Sequence, residues 1–225
     1  MMPVTVHLPN PLDLLFPPLC ALCTTPLSGE DAICSPCLDA LLPTGLGQWL
    51  DDIFIGEGLD GVWSAFWYDE TMESMIHLFK YGGHSRIGHH LSEAMYTQLD
   101  GDIPWYRFDT LVPVPLHRTK RRERGYNQSA ILARTLGQLT GLPVNERLLE
   151  RYRWTRSQTG LSVQERRTNM DDSFRAAEMG DNRKVLLVDD VLTTGATASA
   201  CARAIKVVDV EKVAVLTLAT PLKEK

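Results

Sequence analysis

The 225-residue sequence has no long apolar run. Its longest stretch without a charged residue, Leu14 to Gly29, is 16 residues and contains Pro17, Pro18 and Pro26. That is short of the roughly 20 apolar residues a membrane-spanning helix needs. Basic residues are nearly missing from the first half, where residues 1–109 carry only Lys80, Arg86 and Arg107 against 15 acids. Neutralisation of phosphates by Lys and Arg dominates nucleic-acid affinity, so this half is a poor DNA surface. The first 20 residues lack a basic segment, and five prolines interrupt any apolar signal core, which predicts a cytoplasmic protein. Internal repeats and low-complexity segments are also absent. What is there, 44% apolar and 8% aromatic residues, suffices to bury a core and excludes disorder.

The net charge of −5 conceals a basic middle. From Arg118 to Arg167 there are 12 Lys/Arg against four acids. In an acidic protein this pattern marks either a local anion site or a solvated helix face.

The apolar pattern changes along the chain. Prolines and glycines surround four cysteines in residues 17–43, and Gly45 to Gly61 marks a flexible join. Val62 to Tyr68 is aromatic and β-prone. Asp69 can cap a helix whose Met72, Met75, Ile76 and Phe79 share one face, with Gly82 to end it. A second amphipathic helix runs through Ile87, Leu91, Ala94, Met95 and Leu99. After residue 109 strands and helices alternate: a strand at Thr110 to Val114, a helical stripe of Leu132, Leu136 and Leu139, a strand at Val185 to Val188, a helix from Ala196 to Val207, and a strand at Val213 to Ala219. Continuously apolar strands separated by helices predict an α/β fold with a parallel sheet covered on both faces.

Cys20-x-x-Cys23 and Cys34-x-x-Cys37 are ten residues apart. Each pair presents two thiolates from one turn, and two pairs complete the tetrahedral shell that structural Zn2+ prefers. Disulfides or a redox pair are the alternatives. The surrounding ribbon holds no Lys or Arg, so its expected role is support or protein contact. His84, His89 and His90 read as polar surface, and Cys201 as a packed core thiol.

The sharpest feature is Val185-Leu-Leu-Val-Asp189-Asp190-Val-Leu-Thr193-Thr194-Gly195-Ala196-Thr197. An apolar strand delivers two adjacent carboxylates, and a hydroxyl- and glycine-bearing loop then opens a helix. Successive N–H groups at a helix start cradle an anion, and Gly195 allows close backbone approach. Two acids beside such a cradle make sense if they face sugar hydroxyls or Mg2+.

These thirteen residues resemble the phosphoribosyl pyrophosphate (PRPP) motif of type I phosphoribosyltransferases. The resemblance implies that Asp189 and Asp190 take the ribose, and Thr193, Thr194, Gly195, Ala196 and Thr197 the 5-phosphate. Val112-Pro-Val-Pro115-Leu-His-Arg118, Arg124-Gly-Tyr-Asn-Gln128, Gln158-Thr-Gly-Leu161 and Arg166-Arg-Thr-Asn169 are similar to segments of the ComF/GntX family. That family joins a zinc ribbon to a type I phosphoribosyltransferase-like domain and is associated with DNA uptake and DNA utilisation. One departure is that many relatives carry a second set of cysteine pairs, whereas here an acidic, Gly-rich stretch follows Cys37.

The resemblance implies a ribbon over residues 1–45 and a transferase-like domain over 46–225, divided into N-terminal strand and helices (46–108) and a PRPP-binding core (109–225). Transfer from PRPP, with Mg2+, releases pyrophosphate, which cations must neutralise. Arg118, Arg121, Arg122 and Arg124 follow the first core strand, and Arg153 and Arg156 flank a polar lid candidate, Thr155 to Ser162. One cation–phosphate pair at 4 Å is worth about 4 kcal/mol at an effective dielectric near 20, before desolvation. No residue stands out as a general base. Three functions remain: transfer of phosphoribosyl to a base or amine, a non-catalytic PRPP or nucleotide sensor, and a single-stranded-DNA-binding adaptor in the DNA-uptake machinery. The acceptor and the oligomeric state are not encoded in any recognised motif.

Overall fold

The computed structural model describes residues 17–27, 31–45, 58–152, 173–178 and 183–221. Six strands follow in chain order: β1 (Val62–Trp67), β2 (Thr110–Pro113), β3 (Leu149–Arg151), β4 (Phe174–Ala176), β5 (Lys184–Val191) and β6 (Lys212–Thr220). The helices among the described residues are α1 (Ser35–Asp39), α2 (Glu70–Tyr81), α3 (Ser85–Leu99), α4 (Arg118–Arg124), α5 (Gln128–Thr140) and α6 (Ala196–Lys206), with a 3-10 turn at Trp105–Arg107.

Four strands form one parallel sheet in the order β1-β6-β5-β2. Side chains alternate between its faces. Trp63, Leu111, Leu186, Val188 and Leu216 pack under α2, α3 and α5, while Val112, Val185, Leu187, Val213 and Val215 pack against α6 and the β3–β4 hairpin. Both faces are covered, which is why these strands are apolar without interruption. This is the parallel α/β sheet, covered on both faces, that the apolar strands predict.

The helices start and stop where their sequence signals stand. The Asp69 carboxylate accepts the Met72 N–H at 2.8 Å and caps α2, whose buried stripe is Met72, Met75, Ile76 and Phe79. Gly88 on α3 allows close packing: a Cβ there would lie 2.6 Å from the Phe79 ring and 2.8 Å from Ile131.

The cysteine segment is seated on this core. Cys20, Ala32, Ile33 and Leu41 join the apolar cluster beneath α2 and α3. The Ala32 N–H donates to His90 Nε2 at 3.4 Å, so His90 touches the ribbon as well as solvent. Thr44 and Leu42 then bond along β1 through Ala65 and Trp67.

Three local features differ from the sequence expectations. The strand expected at 185–188 spans 184–191, so both acids lie within it. Residues 118–124 form a helix rather than a loop, capped by the His117 ring and ended by left-handed Gly125. The β3–β4 pair is antiparallel and too short to carry a sequence signal. Among the described residues no helix is long and apolar enough to cross a membrane.

Candidate functional site

The acid pair stands near the C-terminal end of β5, between β6 and β2, where open parallel sheets bind ligands. Asp189 Oδ1 accepts two hydrogen bonds, from Ser129 Oγ on α5 and from the Asp190 backbone N–H, both at 2.9 Å. Burial of its carboxyl, reinforced by the neighbouring Asp190 charge, raises the Asp189 pKa to about 7 against the lowering pull of these bonds. Asp190 turns the other way and pairs with Lys80 Nζ at 2.5 Å.

The loop after β5 opens α6. Leu192 is buried and tied to β6 by its N–H to the Ala219 carbonyl at 2.9 Å, so the loop leaves the sheet at a fixed point. Thr193 and Thr194 are exposed. Gly195 caps α6 in the left-handed region at φ 73°, a conformation that costs glycine little. Asp189, Thr193, Gly195, Ala196 and Thr197 line one narrow cleft with Thr217 of β6. The loop's donors and the Asp189 carboxylate thus face a common space.

Cations gather on the other side. Arg124 donates to Gln128 Oε1 at 3.0 Å and to the Tyr81 hydroxyl at 3.2 Å. Burial lowers the Lys120 pKa, and the nearby charges of Arg124 and Arg151 lower it further. Burial also lowers the Arg151 pKa, opposed by Cys201 and Asp189. Lys120 thus lies in a local field of positive charge.

The sequence-predicted residues divide accordingly. Asp189, Thr193, Gly195, Ala196 and Thr197 come together on one cleft, whereas Asp190 pairs with Lys80 and Arg124 bonds Gln128 and Tyr81. Arg118 instead bonds Glu150 at 2.9 Å with 81% of its side chain exposed. Arg121 and Arg122 are exposed on α4. Arg153, Arg156 and the lid candidate lie outside the described residues. Sequence reasoning missed Lys80, Ser129 and Arg151. Lys80 had a signal, being the only lysine in residues 1–109.

The four cysteines also converge. Their sulfur atoms all lie within 4.8 Å of one another, with Cys20–Cys37 at 3.9 Å and Cys23–Cys34 at 3.5 Å. A tetrahedral ion with bonds of about 2.3 Å separates sulfurs by about 3.8 Å, so the donor set fits a metal ion. The Thr25 hydroxyl and backbone hold the Cys23 thiol down at about 6, whereas burial pushes the Cys37 thiol up.

The phosphoribosyl transferase domain matches residues 124–225. Competence protein F of Haemophilus influenzae is 30% identical over 158 residues, covering 68% of this chain and 69% of that one. The chain belongs to the ComF family. Among other ComF-like relatives, DNA utilization protein YhgH of Escherichia coli K12 is 29% identical over 211 residues, covering 84% of this chain and 91% of that one. Competence protein ComFC of Bacillus subtilis is 29% identical over 140 residues, covering 62% of this chain and 55% of that one. The domain match spans the acid pair and the loop that follows it.

Proposed function

We propose that this ComF-family protein binds PRPP as its Mg2+ complex and transfers phosphoribosyl to a base or amine. The observation that carries this reading is the acid pair on β5 leading directly into a left-handed glycine that opens α6. Asp189 and Asp190 hold the ribose hydroxyls. Thr193, Thr194 and the N–H groups from Gly195 to Thr197 hold the 5-phosphate, favoured by the positive end of the α6 dipole. Lys120, Arg124 and Arg151 face the leaving pyrophosphate, whose charge grows as the anomeric bond breaks. No side chain need remove a proton when the nucleophile is a nitrogen lone pair.

The cysteine site holds Zn2+ and is structural, because four thiolates leave no open position for chemistry. Zn2+ there fastens the ribbon to α3 and β1. The ribbon occupies residues 1–45 and the transferase-like domain 46–225, with the PRPP-binding core at 109–225. The relatives named for competence and DNA utilisation support a cytoplasmic role in handling incoming DNA or its products.

The test is pyrophosphate release from Mg2+·PRPP across a panel of purine and pyrimidine bases, ammonia and glutamine. Release with one acceptor class, lost in Asp189→Asn/Asp190→Asn, establishes the transferase. Tight PRPP binding with no release under any acceptor would overturn transfer and leave a PRPP sensor.

A further inference from the structure

A second concave face lies at the opposite end of the sheet. β2 enters the sheet at Thr110 and runs parallel to β5, whose far end carries the acid pair. Just before Thr110, the turn after α3 and the 3-10 turn at Trp105–Arg107 meet the end of α5. Between them lies a groove of about 640 Å3 lined by Asp100, Asp102, Trp105, Tyr106, Thr140 and Leu142. It shares no residue with the cleft beside the acid pair.

The electrostatics of this groove are one-sided. α3 is capped by Asp100 and α5 by Gly141, so the C-terminal ends of two helices border it. A helix C-terminus carries partial negative charge that a Lys or Arg in the last turn commonly balances. Neither last turn contains one. Asp100 and Asp102 add two exposed carboxylates, and no Lys or Arg is among the described residues that line the groove. Its field selects a cation.

The aromatic side chains narrow the kind of cation. The Trp105 indole N–H donates to Asp100 Oδ1 at 3.1 Å, and its ring centre lies 5.9 Å from that of Tyr96, so Trp105 is held in place. Tyr106 is 82% exposed. The Arg107 guanidinium lies 5.7 Å from the centre of the Tyr106 ring, which shows that this ring accepts a guanidinium. A guanidinium can stack on an aromatic face and present its planar fork to a carboxylate, whereas an ammonium is a strongly hydrated point charge. Leu142 and Pro104 line the same groove and offer apolar surface to the residues flanking such a group. Exposed Tyr and Trp beside apolar contacts are also the residues that dominate binding at protein interfaces.

We propose that this groove docks an arginine-bearing basic segment of a partner protein, with an arginine seated on Tyr106 and facing Asp102. The groove and the acid pair stand at opposite ends of the sheet, so the partner and a sugar phosphate can be held together. The proposal does not depend on the PRPP reading.

Fluorescence anisotropy on the zinc-loaded full chain tests this with three labelled nonapeptides of glycine and leucine, carrying three arginines, three lysines or three glutamates. The arginine peptide is expected to bind, the lysine peptide to bind several-fold more weakly, and the glutamate peptide not to bind. Tyr106→Ala is expected to weaken the arginine peptide about fivefold, the worth of one exposed cation–π contact. Asp102→Asn is expected to weaken it about threefold, as for one exposed ion pair. Both residues are exposed, so each variant is expected to keep the wild-type melting temperature. Asp189→Asn/Asp190→Asn is expected to bind the peptide as wild type does, whether or not PRPP binds. Spermidine, a free cation of the same charge, is expected to compete only weakly. No binding of the arginine peptide, equal binding of the arginine and lysine peptides, or equal binding by wild type and Tyr106→Ala would overturn the proposal. Loss of binding in the acid-pair variant, or full competition by spermidine, would also overturn it, by placing the cation elsewhere or making the attraction one of charge alone.

Discussion

The Ser129 hydroxyl on α5 donates to Asp189 Oδ1 on β5 at 2.9 Å, across 60 residues of sequence. This bond aims the carboxyl and joins the helix to the strand that carries the ligand site. Ser129 is itself buried, so it is held as firmly as its partner. Ser129→Ala removes one of the two donors to that oxygen. It is expected to destabilise the fold by about 1–3 kcal/mol, the range for a buried polar group losing its partner. The protein should also retain the Asp189 proton to higher pH, since the lost bond favoured the charged form. Urea denaturation and carboxyl-carbon NMR titration read the two effects.

Asp189 gives stability an unusual pH dependence. Its folded-state pKa is about 7, above the ordinary 3.8. Between these values the folded chain keeps a proton that the unfolded chain releases. The contribution of this group is therefore fully present below about pH 4 and is lost as pH rises through about 7. Unfolding free energy measured for wild type and Asp189→Asn across pH 4–8 should show a difference that follows this course. A difference that grows in favour of wild type as pH rises would contradict the assigned environment.

Gly88 is the contact point between α3 and its neighbours. A methyl group there would meet the Phe79 ring at 2.6 Å and Ile131 at 2.8 Å, and Phe79 is fully buried. Gly88→Ala gains about 1 kcal/mol of helix propensity but overpacks a rigid core at a cost of about 1–3 kcal/mol. A net loss of stability is expected from the denaturant midpoint. Gly83→Ala, where no atom lies within 4 Å but φ is 70°, strains only the backbone.

The ribbon and the core share one apolar cluster through Cys20, Ala32, Ile33 and Leu41. Elemental analysis should find one Zn2+ per chain, lost in Cys34→Ser. Unseating even 2–3 kcal/mol of these contacts lowers Tm by roughly 4–12 °C in a chain of this length. Unchanged Tm after metal removal would mean the cysteines do not fasten the ribbon.

Much of this arrangement is legible in the sequence. The Met72–Phe79 stripe, the run at Val185–Val188 and the paired cysteines each signal a local structure through spacing alone. The loop from Asp189 to Thr197 is legible because its whole constellation is contiguous. Ser129, Lys80 and Arg151 are not, since each reaches the site from a different element and only the packing brings them there. Arg118 shows what sequence proximity does not reveal. Its place near Arg124 in sequence predicts a shared role, and in the fold it pairs with Glu150 while Arg124 bonds Gln128 and Tyr81. The β3–β4 hairpin escapes notice because three-residue strands carry too little periodicity to register.

The most direct test of the account is calorimetric titration of the zinc-loaded protein with Mg2+·PRPP, beside the Asp189→Asn/Asp190→Asn variant. The account predicts saturable one-to-one binding by wild type, with no measurable heat from a variant that folds equally well. Absence of binding by the folded wild type, or equal binding by both proteins, would contradict it.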